Sequence, residues 1–281
     1  MQFVIKYVYL TTVTRKIYRG TYRGIYMYIG FFDSGIGGLS VLKEALKILP
    51  DENYIYYGDT DNAPYGTKTK DEVKALTFRA VGFLNKHNIK ALVVACNTAT
   101  SAAVRDLREK YGFPIIGMEP AIKPAVEKNH HKGKRVLTLA TPLTLREEKF
   151  QSLVSRFDTE HIVDILPAPR LVEFAENFIF SGPCVEGYLK EIMPANINEY
   201  AAVVLGCTHF PLFREVLSRL LPEDVDIIDG NRGTVNHLYD ILKSRNLLNT
   251  SSEKGQIIFY RSGRPVEDKV LLEKYRKIIY D

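Results

Sequence analysis

Residues 91–101 read ALVVACNTATS, and residues 201–211 read AAVVLGCTHFP. Each segment is an apolar run that ends at a cysteine, and each cysteine is followed within two residues by threonine. Short apolar runs of this kind are typical of strands that are buried on both faces. The same strand and cysteine pattern occurs twice, 111 residues apart, and this recurrence predicts two α/β lobes that face each other across a cleft.

The alternation of apolar runs and amphipathic stretches continues along the chain from Tyr28. Amphipathic helices are predicted over residues 39–49 and 70–87. Buried strands joined by helices predict an α/β fold with mainly parallel sheets, in which ligands bind beyond the carboxyl ends of the strands. The predicted strands are residues 28–33, 53–59, 91–96, 113–118, 135–141, 161–168, 201–207, 225–230 and 256–262.

Length and composition set limits on the class of protein. The chain has 281 residues, of which 46% are hydrophobic, and this is enough for two packed domains. Three cysteines, at positions 96, 184 and 207, are too few and too widely spaced for a disulfide framework, and no cysteine and histidine cluster suggests zinc. No run reaches the roughly 18 apolar residues of a membrane span. We therefore expect a cytoplasmic protein without a metal site.

The net charge of +5 arises entirely within residues 1–28, which hold five of the 38 basic side chains and none of the 33 acidic ones. Basic residues interleaved with tyrosines could contact RNA or an anionic membrane, or could form a transit peptide. The alternative is that Met27 is the working start. We treat residues 1–28 as an extension outside the core and expect neither a nucleic-acid nor a membrane partner, because the rest of the chain is neutral.

Two thiols at equivalent strand ends are compatible with three chemistries. They could cycle between dithiol and disulfide, they could exchange protons at opposite faces of one carbon, or Cys207 could be a nucleophile with His209 as its base. A cysteine on an apolar strand can also be a plain core residue. Symmetry favours the proton exchange, since facing lobes would put one thiol on each side of a shared ligand.

The position of each cysteine also suggests its protonation state. A thiol before a helix feels the positive end of the helix dipole, which favours the thiolate. We therefore expect modestly lowered thiol pKa values, so that one cysteine is ionised and the other protonated at neutral pH.

Four motifs together resemble a known family. They are DSGIGGLSV at residues 33–41, YYGDTDNAPYG at 56–66, CNTAT at 96–100 and GCTHFPL at 206–212. In this order and spacing they resemble the glutamate racemases of the cofactor-independent aspartate/glutamate racemase superfamily, over residues 29 to about 265.

The resemblance implies both a fold and an activity. The fold is two pseudo-symmetric three-layer α/β domains with mainly parallel sheets, the first formed by residues 29–125 and 231–281 and the second by residues 126–230. The active site would lie in the cleft between them. The implied activity is interconversion of L- and D-glutamate for peptidoglycan biosynthesis, without a cofactor. Members of the family commonly form homodimers, an oligomeric state that is open to this chain.

By resemblance, Cys96 and Cys207 are the acid/base thiols. Cys96 would deprotonate D-glutamate with the assistance of Asp33, and Cys207 would deprotonate L-glutamate with the assistance of His209. Substrate contacts are expected from Asp33, Ser34, Tyr65, Gly66, Asn97, Thr98, Thr141, Thr144, Thr208 and His209.

A further assisting carboxylate is expected from APRLVEFAE, residues 168–176. Glu176 occupies the family position, and Glu173 is the competing choice. Ala168 stands where the family usually has a cysteine.

The proposed chemistry explains why hydroxyl and amide side chains surround the thiols. No pyridoxal lysine motif is evident, so the site itself must stabilise a carbanion-like state by donating hydrogen bonds to the substrate carboxylate. Two other hypotheses remain open at this point. One is a two-thiol racemase or isomerase that acts on a different substrate, and the other is a binding protein that uses the same cleft to sense glutamate.

Overall fold

A computed structural model describes residues 27–129, 133–250 and 255–281. They form a six-stranded and a four-stranded sheet, each flanked by helices. The basic residues 1–26, for which the sequence suggested several roles, lie outside the described residues. No helix within the described ranges is long and apolar enough to cross a membrane.

The first sheet has the spatial order β10-β9-β2-β1-β3-β4, and its strands are parallel except for the antiparallel pair β10 and β9. These strands are β1 (Tyr28–Asp33), β2 (Asn53–Gly58), β3 (Ile89–Val94), β4 (Ile115–Gly117), β9 (Ile257–Arg261) and β10 (Arg264–Pro265). The second sheet is wholly parallel in the order β6-β5-β7-β8. Its strands are β5 (Arg135–Ala140), β6 (Val163–Pro167), β7 (Tyr200–Leu205) and β8 (Asp226–Asp229).

Helices cover both faces of each sheet, so both lobes have three layers. The helices are α1 (Leu39–Ile48), α2 (Lys70–Leu84), α3 (Asn97–Lys110), α4 (Ile122–Asn129), α5 (Pro142–Arg146), α6 (Glu148–Phe157), α7 (Pro169–Glu176), α8 (Pro183–Ile192), α9 (Arg214–Leu220), α10 (Asn231–Ser244) and α11 (Lys269–Tyr280). In the first lobe α1, α10 and α11 pack on one face, and α2 and α3 pack on the other. In the second lobe α7, α8 and α9 lie opposite α4 and α6.

Strand residues alternate between the two cores because successive side chains of a strand point to opposite faces. Phe31 joins the core beneath α1, whereas its neighbour Phe32 joins the core beneath α2 and α3. The buried Tyr54 satisfies its hydroxyl group locally, since it donates to the carbonyl oxygen of Leu49 at 2.6 Å. This two-sided burial is the reason why the strands read as nearly continuous apolar runs.

The two sheets share one topology. In each, the first strand of the lobe lies between the second and the third, and the fourth lies beyond the third. Both first strands also shift register against their third strand after one residue, at Tyr28 and at Arg135. Two further equivalent hydrogen bonds close the ladders, from Ala95 N to Phe32 O at 2.8 Å and from Gly206 N to Leu139 O at 2.7 Å. The lobes are therefore pseudo-symmetric, as the repeated cysteine segments predict.

The strands that lead to the cysteines end earlier than predicted. The sequence suggested strands through Cys96 and Cys207, but β3 ends at Val94 and β7 at Leu205. Cys96 caps the next helix, where its sulfur accepts the backbone N–H of Ala99.

The chain enters the second lobe between β4 and β5 and returns to the first sheet between β8 and β9. The domain boundaries at residues 125 and 230 stay predictions.

Candidate active site

The loop after β1 lies against the second lobe, and two glycines permit this close approach. A Cβ on Gly35 would fall 1.7 Å from Glu176 Oε1, and one on Gly37 would fall 2.6 Å from His209 Nδ1. The glycines of DSGIGG thus allow backbone-to-side-chain contact between lobes.

Cys96 lies at the start of α3 and is 5% exposed. Its sulfur accepts the backbone N–H of Ala99 at 3.4 Å and lies 3.6 Å from Ser34 Oγ, to which the thiol donates. Burial, with a further contribution from the nearby Asp33 charge, raises the pKa of the Cys96 thiol to about 12. The expectation of a lowered thiol pKa is wrong for Cys96, because desolvation outweighs the helix N-terminus. Cys96 therefore holds its proton.

Asp33, at the end of β1, is fully buried and joins the two lobes. Its Oδ1 accepts the Gly35 N–H at 2.9 Å, and its Oδ2 accepts the hydroxyl of Thr208, next to Cys207, also at 2.9 Å. Burial raises the Asp33 pKa, although the opposing charge of His209 and two hydrogen bonds lower it in part. The carboxyl group predicted to assist Cys96 is thus held by a hydrogen bond from the loop that carries Cys207.

Cys207 has a different set of neighbours, in which the central residue is His209. The Cys207 sulfur lies 3.5 Å from His209 Nδ1, and the other ring nitrogen lies 2.6 Å from Glu176 Oε1. Burial by itself lowers the His209 pKa, but the hydrogen bonds to Cys207 and Glu176 together raise it well above its ordinary value. A protonated His209 can donate to both partners. Many hydrolytic and acid/base sites contain the same series of contacts, in which a nucleophile or base contacts a histidine and the histidine contacts a carboxylate.

The structure distinguishes the two candidate carboxylates. Glu176 Oε1 accepts the backbone N–H of Ile36 from the first lobe at 2.8 Å in addition to its contact with His209. Glu173, one turn earlier on α7, is exposed. Glu176 is therefore the carboxylate that the fold brings to the site.

Three threonine hydroxyls meet where the lobes face each other. Thr98 Oγ1 lies 3.2 Å from Thr141 Oγ1 and 3.0 Å from Thr144 Oγ1, and the two second-lobe hydroxyls are 2.9 Å apart. Asn97 is 4% exposed, and neither of its side-chain amide atoms has a hydrogen-bond partner among the residues that the structure describes. Because buried polar atoms are normally paired, this amide is a candidate contact for a polar ligand.

The segment with Tyr65 and Gly66 borders the same cleft. A Cβ on Gly66 would fall 2.7 Å from the Thr141 Cβ, so the backbone here lies against the second lobe. The Tyr65 hydroxyl donates to Asp59 Oδ2 at 2.7 Å, which also accepts from the Asn62 amide. Asp59 thus organises the turn that holds Tyr65.

Sequence reasoning missed a buried pair that supports the Cys207 loop from behind. Ser40 Oγ donates to the carbonyl oxygen of Thr208 at 2.9 Å, and Asn231 Nδ2 donates to Ser40 Oγ at 3.2 Å. The only sequence signal was a serine between apolar residues of α1.

In the described part of the chain, no group of three or more His, Cys, Asp or Glu side chains is arranged to hold a metal ion.

Comparisons with known proteins agree with the family that the four sequence motifs resemble. The sequence model of the Asp/Glu/Hydantoin racemase family matches residues 38–238. A curated relative from Halothermothrix orenii, named glutamate racemase, is 56% identical over 254 residues, which is 90% of this chain and 99% of that relative.

Solved structures agree with the sequence relatives. A Francisella tularensis glutamate racemase in complex with D-glutamate has a TM-score of 0.74 at 30% identity, covering 90% of this chain and 92% of that one. An Escherichia coli glutamate racemase in complex with L-glutamate and the activator UDP-MurNAc-ala also has a TM-score of 0.74, at 29% identity, covering 89% of this chain and 95% of that one.

Proposed function

The chain belongs to the Asp/Glu/Hydantoin racemase family, and from this premise we propose that it interconverts L- and D-glutamate by proton transfer between two cysteines, without a cofactor. The substrate is supported by the names of the relatives and by the two glutamate-bound structures. One observation supports the mechanism above all: Cys96 and Cys207 occupy equivalent positions, two residues beyond β3 and β7, in lobes whose loops touch.

In the L-to-D direction, we propose that Cys207 removes the α-proton while Cys96 donates its own proton to the opposite face of the carbon. One C–H bond breaks and another forms, so the reaction involves no change in oxidation state. The protonated thiol of Cys96 suits the acid, and the cationic partner His209 suits the base. In the D-to-L direction the two thiols exchange roles, with Asp33 assisting Cys96.

The polar groups of the cleft would hold the substrate and stabilise the carbanion-like state. The unpaired amide of Asn97, with Thr208 and Ser34, is suited to the α-carboxylate and ammonium groups. The hydroxyls of Thr98, Thr141 and Thr144 can donate to the side-chain carboxylate, with the backbone of residues 65–66 beside them. A substrate of this kind would contact both lobes at once.

Incubation of the dialysed protein with L-glutamate, followed by circular dichroism, tests the activity. We expect the signal to decay to zero as the enantiomers reach equal amounts, while L-aspartate stays unchanged. Racemisation of aspartate alone would favour a different two-thiol racemase. No change in either amino acid would contradict the proposal and favour a binding protein.

We also infer that D-glutamate made by this protein serves peptidoglycan synthesis in the cytoplasm. The inference is supported by the family resemblance and by Cys96, Cys184 and Cys207, all of which are free thiols. The gene is expected to restore growth of a D-glutamate auxotroph without supplement, and a Cys96→Ala copy is expected not to do so. Growth with the variant would argue against the role of the thiol.

A further inference from the structure

The turn directly after Glu176 has an unusual backbone. Helix α7 ends in a double hydrogen-bonded turn, in which Phe178 N–H donates to Ala175 O at 2.7 Å and Ile179 N–H donates to Phe174 O at 2.9 Å. Phe178 occupies the left-handed position of this turn with a φ of 59°. Glycine usually fills that position, because a side chain there is strained.

Phe178 differs from the other non-glycine residues with positive φ in the described ranges. Those are Asn88, His161, Asn246 and Ser262, all polar. Asparagine tolerates the left-handed region, whereas a bulky apolar residue there is an outlier that the surrounding structure must maintain. The environment of the Phe178 ring therefore needs an explanation.

The ring is held mainly by the C-terminal helix α11 of the first lobe. The Phe178 ring stacks on Tyr275 of α11, with the ring centroids 6.3 Å apart and the planes inclined by 26°. The Nζ of Lys274, also on α11, lies 4.5 Å from the centroid of the Phe178 ring. Phe180 packs edge-on at 6.2 Å. The ring also borders a cavity of about 1160 Å³ and is only half-buried. It is thus a contact between lobes rather than a core residue.

We propose that Phe178 is a positioning residue for the Cys207 side of the reaction. With its ring held by α11, Phe178 fixes the left-handed end of α7 and so directs the Glu176 carboxylate to His209. The first lobe then holds this helix end twice, through the Ile36 N–H on the carboxylate and through α11 on the ring. This role rests on the proposed function, in which His209 assists Cys207.

The proposal predicts an effect on one proton transfer only. Misplacing Glu176 loosens His209 and slows the step at Cys207, whereas Cys96 contacts Ser34 and Ala99 and is unaffected. If Cys207 deprotonates L-glutamate, its step then becomes more rate-limiting. The kinetic isotope effect with α-deuterated L-glutamate should therefore rise, while the effect with α-deuterated D-glutamate should not.

Phe178→Gly provides the test, because glycine keeps the left-handed turn without strain while the ring is lost. We expect kcat to fall by no more than about tenfold, the effect of losing the Glu176 contact itself, with an unchanged melting temperature and the one-sided isotope effect. Phe178→Tyr keeps the ring and should retain activity. Ile179→Ala, at an exposed neighbouring position, is the matched control.

A wild-type protein that racemises no glutamate would overturn the proposed function and this role together. An active wild type whose Phe178→Gly variant keeps full kcat and both isotope effects would overturn the role of Phe178 alone. If the glycine variant does not fold, Lys274→Met replaces it in the test, because Lys274 contacts the Phe178 ring. We expect this variant to raise the isotope effect with α-deuterated L-glutamate by a smaller amount. A shift in the other isotope effect would contradict the assignment to Cys207.

Discussion

The surroundings of Cys96 and Cys207 differ far more than their backbones do. Both follow the third strand of their sheet by two residues, and equivalent hydrogen bonds close the two ladders. Yet Cys96 contacts neutral groups, while Cys207 contacts a histidine that is paired with a carboxylate. The backbone symmetry places the two thiols at equivalent strand ends, whereas the side chains that surround them differ in charge.

The lobes also exchange supporting groups across the cleft. Asp33 of the first lobe accepts the hydroxyl of Thr208 in the second, and Glu176 of the second lobe accepts the N–H of Ile36 in the first. Each thiol therefore depends on both lobes. Variants at each thiol and at its supporting groups can separate the contributions of the two thiols. They are given in order from the largest expected effect on turnover to the smallest.

Replacement of either thiol should have the largest effect. We expect Cys96→Ala and Cys207→Ala each to lower kcat by at least about 10³-fold, because each removes an acid and a base from one face of the carbon. Cys184→Ala, at an exposed position, is the matched control and should retain full activity. Enantiomer-resolved chromatography of glutamate measures the rates. Substantial racemisation by either active-site variant would contradict the two-thiol mechanism.

Asp33→Asn and His209→Asn should each slow turnover by about 10²-fold, since each affects the acid/base group beside one thiol. The two variants should differ in their isotope effects. Asp33→Asn should raise the effect with α-deuterated D-glutamate, and His209→Asn should raise the effect with α-deuterated L-glutamate. Equal changes with both labelled enantiomers would show that the two residues do not serve separate thiols.

Glu176→Gln should have a smaller effect, about tenfold on kcat, because Glu176 acts through His209 rather than on the substrate. The amide can still accept the N–H of Ile36 but carries no charge to pair with the imidazolium. Glu173→Gln, three residues earlier on the same helix, is the control and should behave as wild type. The reverse result would restore Glu173 as the assisting carboxylate.

Asp33→Asn should also raise the melting temperature at neutral pH, by about 2 to 4 °C. Burial raises the Asp33 pKa, so the folded protein binds this proton more tightly than the unfolded chain does. The wild type therefore loses stability as the pH rises through that pKa, and the uncharged variant does not. Calorimetry from about pH 4, near the ordinary pKa of an aspartate, to pH 8 should show a difference in melting temperature between variant and wild type that shrinks as the pH falls. A difference that grows at low pH would contradict the raised pKa.

The sequence predicted strands β1 to β9, the equivalent strand-end positions of Cys96 and Cys207 and the α/β class, because these depend on local patterns of apolar and small residues. It did not predict the protonation of Cys96, since the helix N-terminus is visible in the sequence but the burial that dominates it is not. The choice between Glu173 and Glu176 also required the fold. Both lie on α7, and only the position of the first-lobe loop decides which one reaches His209.

The two-thiol mechanism is tested most directly by the fate of the α-proton in deuterium oxide. L-Glutamate is incubated with the wild-type protein, and both enantiomers are recovered at low conversion for mass spectrometry. We expect the D-glutamate formed to carry α-deuterium, because its new bond comes from the opposite thiol, while the remaining L-glutamate keeps its α-protium. D-Glutamate that retains the original proton, or L-glutamate that exchanges as fast as it racemises, would contradict transfer between two thiols.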